Sequence, residues 1–133
     1  MSSSADRSNP DPSPCIAIVD DDESVREGLG NLLRSVGYEV RAFSSAEEFL
    51  DRPEQDAFSC LVTDIQMPGM GGLELQKRLV ASGTPLPVIL MTAFPRDHVR
   101  QRAEELGAAG FLTKPFDAGR MIECVERALR SPA

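Results

Sequence analysis

The chain has 133 residues, 41% of them hydrophobic and 26% charged, which suits one ordinary globular domain with one core. Its formal net charge of -7 argues against direct nucleic-acid binding by this segment, because phosphate contacts need clustered Lys and Arg. No run approaches the roughly 18 apolar residues of a membrane helix, and residues 1–14 lack the apolar core of a secretory signal.

Residues 1–14 hold five Ser, three Pro and two Asp and almost nothing apolar, so a disordered leader is expected there. One domain is expected over residues 15–131. Cys15-Ile16-Ala17-Ile18-Val19 is a continuous apolar run, the pattern of a strand buried on both faces. Asp20, Asp21, Asp22 and Glu23 follow it. A helix is predicted over residues 24–36, with Val25, Leu29, Leu32, Leu33 and Val36 on one face and Gly37 as its stop. Residues 39–43 alternate as a half-exposed edge strand does. Ser44 and Ser45 with Glu47 and Glu48 have capping-box spacing for a short second helix, with Phe49 and Leu50 inward. A polar loop is predicted over residues 51–57.

A third strand is predicted over residues 59–63, ending at Asp64. A loop rich in Gly, Met and Pro follows, then a third helix marked by Leu75, Leu79 and Val80. Residues 88–92 form a fourth strand. The fourth helix, residues 96–106, has only Val99, Ala103 and Leu106 to bury, so it should be loosely held. Residues 107–110 are predicted as a turn and 111–113 as a fifth strand. Asp117 can cap a last helix that buries Met121, Ile122, Val125, Ala128 and Leu129. Strands alternating with helices predict an α/β fold of the flavodoxin-like (βα)5 kind, a doubly wound parallel five-stranded sheet in the order 2-1-3-4-5. The three cysteines, Cys15, Cys60 and Cys124, lie in apolar contexts without CxxC spacing. They read as buried reduced thiols of a cytoplasmic protein.

In that topology the C-terminal strand ends share one sheet edge, where open α/β sheets place their ligands. Strand one delivers Asp20 and Asp21, strand three Asp64, strand four Thr92 and strand five Lys114. Each has a plainer reading alone: Asp22 and Glu23 as helix N-terminal acids, Asp64 as a loop cap, Thr92 as a strand residue, Lys114 as a solvated lysine, Phe111 as core. Their conjunction points instead to a site. Three converging carboxylates repel one another by about 4 kcal/mol per close pair. A hard divalent cation offsets this, and oxygen ligands with room for phosphate suit Mg²⁺. Asp64 would then be a nucleophile, Mg²⁺ and Lys114 would neutralise an incoming phosphoryl group, and Thr92 would hydrogen-bond it.

The phrases Val19-Asp20-Asp21-Asp22-Glu23, Thr63-Asp64-Ile65-Gln66-Met67-Pro68-Gly69-Met70-Gly71-Gly72, Met91-Thr92-Ala93 and Phe111-Leu112-Thr113-Lys114-Pro115-Phe116 resemble the response-regulator receiver domain of bacterial two-component signalling. Residues 18–26 and 43–50 resemble its FixJ-like branch. The resemblance implies that Asp64 accepts a phosphoryl group from a sensor histidine kinase. It implies direct Mg²⁺ ligation (Mn²⁺ as a substitute) by Asp21, Asp64 and the Gln66 backbone carbonyl, with Asp20 acting through water. It makes Thr92 and Lys114 phosphoryl ligands, Phe111 the switch aromatic, and the Lys114–Pro115 bond a candidate for cis. Ala93 should leave the phosphoryl group accessible, while Gln66 and Phe94 flank the path of hydrolytic water, Phe94 as a partial shield. Phosphorylation would draw Thr92 inward, let Phe111 fill the space and remodel the face of helix four, strand five and helix five, through which a homodimer could form. Such a domain is not an enzyme beyond promoting its own phosphorylation and autodephosphorylation. In this branch a helix-turn-helix DNA-binding domain often follows, so transcription regulation would belong to the full-length protein. Two alternatives remain. An aspartyl-phosphate phosphohydrolase usually carries a second Asp two places beyond the nucleophile, where this chain has Gln66. A receiver acting only through protein contacts would not need Asp21, Asp64, Thr92 and Lys114 together.

Overall fold

The computed structural model describes residues 13–52 and 57–130. Most of the expected leader, the middle of the 51–57 loop and residue 131 lie outside the described residues. The elements alternate along the chain: β1 (Cys15–Val19), α1 (Glu23–Ser35), β2 (Glu39–Phe43), α2 (Ala46–Leu50), β3 (Cys60–Asp64), α3 (Gly72–Ala81), β4 (Val88–Thr92), α4 (Asp97–Glu105), β5 (Gly110–Thr113) and α5 (Ala118–Arg130). The five strands make one parallel sheet in the order β2-β1-β3-β4-β5, as the alternation predicts.

Successive strand residues point to opposite faces, and each face has its own core. Ile16, Ile18, Val62, Ile89 and Met91 pack with Leu29 and Leu33 of α1 and Met121 and Val125 of α5. Ala17, Val19, Leu61 and Leu90 pack with Phe49 of α2, Leu75 and Leu79 of α3 and Ala103 of α4. Burial on both faces explains why β1, β3 and β4 read as unbroken apolar runs. Three rings fill the outer end of the second core. Phe43, Phe49 and Phe58 lie with centroids 5.4, 6.0 and 5.6 Å apart, within the range of favourable aromatic pairs.

Three of the five helix starts, those of α1, α2 and α5, follow from short polar side chains. Asp22 accepts from the Ser24 N–H at 2.8 Å, so α1 begins one residue before the predicted start. Ser45 accepts from the Glu48 N–H at 3.1 Å, and Glu48 accepts in return from the Ser44 N–H at 2.7 Å, a capping box with its return bond shifted by one residue. Asp117 accepts from the Arg120 N–H at the head of α5. Two apolar residues placed in the core by spacing are exposed instead. Val36 caps α1 at 45% exposure and Val80 is 56% exposed. The reason for Val80 is angular: it sits about 100° around the helix from Leu79.

Three glycine-dependent contacts shape the strand ends. The loop after Asp64 turns straight back onto β3, with the Gly72 N–H donating to the Ile65 carbonyl at 3.1 Å. A Cβ on Gly71 would stand 2.5 Å from that same oxygen, and one on Gly72 would collide with the Asp64 carbonyl. At β5, which begins inside the predicted turn, a Cβ on Gly110 would collide with Cys124 Sγ. Helix α4 buries only Ala103. Its C-terminal end is held by buried Gln76 of α3, whose Nε2 donates to the Leu106 carbonyl at 3.1 Å. No helix among the described residues is long and apolar enough to cross a membrane.

Candidate functional site

The sheet order reverses between β1 and β3, and the predicted side chains meet at the C-terminal ends of the strands there. Each is fixed by the ladder that precedes it. The Asp20 N–H donates to the Phe43 carbonyl at 3.1 Å, Ile65 to Met91 at 2.8 Å, and Lys114 to Thr92 at 2.8 Å. The Ile65 bond carries the β3 ladder one residue past the predicted end, so Asp64 is the last strand residue and is buried. Arg26 of α1 adds a side-chain bond to the Asp20 carbonyl at 2.7 Å. The Lys114–Pro115 bond is cis.

Asp20, Asp21 and Asp64 each offer a carboxylate oxygen, and these atoms lie within 4.8 Å of one another. Asp20 and Asp64 are buried, while Asp21 is exposed. Lys114 Nζ bridges the two buried acids, 2.9 Å from Asp20 Oδ2 and 2.9 Å from Asp64 Oδ2. It donates a hydrogen bond to Asp64. Asp20 Oδ2 is a charge partner of the same ammonium off the hydrogen-bond direction, and this buried atom receives no hydrogen bond. The other oxygens are served locally. Asp20 Oδ1 accepts from the Asp22 N–H at 2.9 Å, and Asp64 Oδ1 from the Gln66 N–H at 3.2 Å.

Burial pushes the Asp20 carboxyl above the ordinary carboxylate range, against the pull of Lys114 and the Asp22 amide. Burial acts to lower Lys114, but the close contacts and negative charges of Asp20 and Asp64 outweigh it and hold the ammonium above the usual lysine range. Lys114 is therefore a fixed cation between two anions. One lysine does not balance three carboxylates, so the site has an unmet demand for positive charge. All the convergent ligands are hard oxygens, and one of them, buried Asp20 Oδ2, is met by the Lys114 charge but by no hydrogen bond. A hard divalent cation fits this donor set.

Thr92 is fully buried at the end of β4. Its Oγ1 accepts from the Phe94 N–H at 2.9 Å and donates to Gln66 Oε1 at 2.8 Å. Phe94 itself is 58% exposed. Phe111 is partly buried against the α2–α3–α4 core, and Arg100 of α4 lies over its ring at 4.5 Å. Four contacts have no spacing signature in the sequence. These are the side-chain bond from Thr92 to Gln66, the Arg100 stack, the Arg26 bond, and the bond from the Met70 N–H to Glu47 Oε2 at 3.1 Å. Glu47, counted only as a helix-start acid, ties the rim of the Asp64 loop to α2.

The sequence matches the response regulator receiver domain family over residues 16–126. The chain belongs to that family. This receiver domain is 40% identical over 115 residues to the transcriptional regulatory protein FixJ of Bradyrhizobium diazoefficiens, covering 86% of this chain and 56% of that protein. It is 44% identical over 114 residues to FixJ of Azorhizobium caulinodans, covering 86% and 54%. The chain thus spans about half the length of these curated relatives. Among solved structures it superposes on the FixJ-N crystal structure with a TM-score of 0.82 at 33% identity, covering 92% of this chain and 98% of that one. It superposes on response regulator StyR at 0.81 and 45% identity, covering 90% and 60%. It is a FixJ-like receiver domain of two-component signalling.

Proposed function

We propose that residues 15–131 act as a phosphorylation-dependent switch with Asp64 as phosphoacceptor. The observation that carries this is the convergence of Asp20, Asp21 and Asp64 within 4.8 Å, with Lys114 bridging the two buried acids. Asp64 ends β3, its carboxylate oriented by the Gln66 N–H and Lys114. An Asp64 oxygen attacks the phosphorus of a phosphohistidine on a sensor kinase. The new O–P bond forms as the P–N bond breaks, and the departing imidazole keeps that electron pair and takes a proton. Lys114 shifts from bridging two carboxylates to holding a phosphoryl oxygen, and Thr92 donates its hydroxyl to another. Asp21, Asp64 and the Gln66 carbonyl would hold Mg²⁺, or Mn²⁺ in its place, with Asp20 behind water, and the ion would neutralise charge on the transferring group.

Phosphorylation adds about two negative charges at Asp64. Drawing Thr92 toward them empties its present position, and Phe111 fills it. Arg100 then loses its ring, and the face of α4, β5 and α5 is remodelled. Helix α4 suits this role because it buries one residue and is held at its C-terminal end. That face is the proposed surface for homodimerisation. The partner upstream is a sensor histidine kinase, and cytoplasmic residence follows from that partner. The named relatives are transcriptional regulatory proteins, so regulation of transcription is the proposed output of a full-length protein. The domain's own chemistry is limited to its phosphorylation and autodephosphorylation.

Intact mass after treatment with acetyl phosphate and Mg²⁺ tests this. The native protein should gain one phosphoryl group and Asp64→Asn none. Equal labelling of both would reject Asp64 as the acceptor.

A further inference from the structure

Resting on that reading, we infer that the Gln66 side chain is an autoinhibitory latch on Thr92. A threonine hydroxyl has one proton and two acceptor lone pairs. Here the Phe94 N–H donates to Thr92 Oγ1 at 2.9 Å, and the single proton of that oxygen goes to Gln66 Oε1 at 2.8 Å. A phosphoryl oxygen on Asp64 requires the same proton. The two acceptors are mutually exclusive, so the Thr92–Gln66 bond must break before Thr92 can serve the phosphoryl group.

The placement of the two residues makes the latch effective. Thr92 is fully buried, so water does not compete for its hydroxyl. Gln66 is exposed, and its amide is rehydrated once released. The bond links residues 26 positions apart, from the loop after β3 to the end of β4. It therefore holds together the two strand ends that phosphorylation has to rearrange. The Gln66 backbone has a different role, because its N–H orients Asp64 Oδ1. Side chain and main chain of one residue thus act in opposite directions, the first restraining the switch and the second preparing the acceptor.

Beryllofluoride with Mg²⁺, a mimic of the acyl phosphate, is the probe. Its dissociation constant is read from amide NMR shifts for native protein, Gln66→Met, Thr92→Val and the double variant. Methionine keeps the length of glutamine and its backbone carbonyl but removes the amide acceptor. Gln66→Met should bind about 2- to 12-fold tighter, the range carried by one ordinary hydrogen bond. The gain should vanish in the Thr92→Val background, where there is no hydroxyl to compete for. In ligand-free Gln66→Met the Thr92 and Phe94 amides should already move toward their bound positions. Unchanged or weaker binding by Gln66→Met, or an equal gain with Thr92→Val, overturns the latch and leaves the switch standing. Failure of the native protein to bind beryllofluoride overturns both.

Discussion

Replacing Asp20 by Asn should stabilise the metal-free protein, and the size of the effect follows from the surrounding charges. Lys114 Nζ lies 2.9 Å from Asp20 Oδ2, an attraction of about 6 kcal/mol at an effective dielectric near 20. Carboxylate oxygens of Asp64 and Asp21 lie within 4.8 Å and each oppose it by about 3–4 kcal/mol on the same scale, with the exposed Asp21 screened further. Attraction and repulsion nearly cancel. What remains is the cost of burying a carboxylate that is 0% exposed, with one oxygen lacking a hydrogen bond. Asparagine keeps an acceptor for the Asp22 N–H, and Lys114 keeps Asp64. The expected gain is on the order of 1–2 kcal/mol, which corresponds to about 4–8 °C in Tm for a domain of this size. Scanning calorimetry at neutral pH with a chelator measures it. With excess Mg²⁺ the native protein should gain more than the variant and close the gap, because ligand binding to the folded state adds stability. A lower Tm for Asp20→Asn in chelator would refute the premise that burial of this charge outweighs its pairing.

Three further outcomes are expected. Gly72→Ala drives a methyl against the Asp64 carbonyl; a loss of about 1–3 kcal/mol in urea denaturation, with reduced labelling by acetyl phosphate, is expected, and native behaviour in both would contradict the close approach. Arg100→Ala removes the cation 4.5 Å above Phe111, worth about 0.5–1 kcal/mol at an exposed site; aromatic NMR should show a more mobile Phe111 ring, and an unaltered ring would dismiss the stack as a restraint. Burial pushes the Cys60 thiol up to about 12, so the folded state keeps a proton that an unfolded thiol sheds above about pH 9. Its stabilisation is complete below that pH and falls as pH rises toward about 12, by up to about 1.4 kcal/mol per pH unit. Denaturant midpoints measured from about pH 8 to 10.5 should therefore decline more gently in Cys60→Ala than in the native protein. Cys124, Tyr38 and Lys114 are also raised and leave the variant with some slope of the same sign.

The sheet was legible in the sequence because its three central strands, β1, β3 and β4, are buried on both faces. Runs such as Val88–Thr92 have no polar residue before the last position, and the polar residue that ends each run is the one the ladder presents at the edge. That is why Asp20, Asp64, Thr92 and Lys114 could be assembled from order alone. Helix faces were less legible. Val36 and Val80 share a hydrophobic identity with their neighbours but not their orientation, and one step of about 100° separates Val80 from Leu79. The least legible features were bonds between side chains far apart in sequence. Glu47 carried a cap signal that concealed its bond to Met70, and buried Gln76 had no periodic partner to announce that it holds the end of α4. For Gln66 the position beside the site was readable but its side-chain bond to Thr92, 26 positions away, was not.

In the proposed mechanism both phosphoryl ligands are already engaged in this state, and that engagement sets the threshold of the switch. Lys114 is divided between Asp20 and Asp64, and Thr92 is committed to Gln66. A phosphoryl group must displace these contacts, not fill an empty site. For Thr92 the exchange is favourable because it replaces a neutral hydrogen bond, worth about 0.5–1.5 kcal/mol, with a charge-assisted one of about 1.5–3 kcal/mol. The margin is small enough that the resting arrangement holds without phosphorylation, yet it can be overturned by one added group. Moving a two-state population from about 1:99 to 99:1 takes about 5.5 kcal/mol of differential binding. Thr92 alone does not supply that. The remainder must come from Lys114, the cation and the repacking of Phe111, so truncating Phe111 should leave a domain that is phosphorylated but only partly switched.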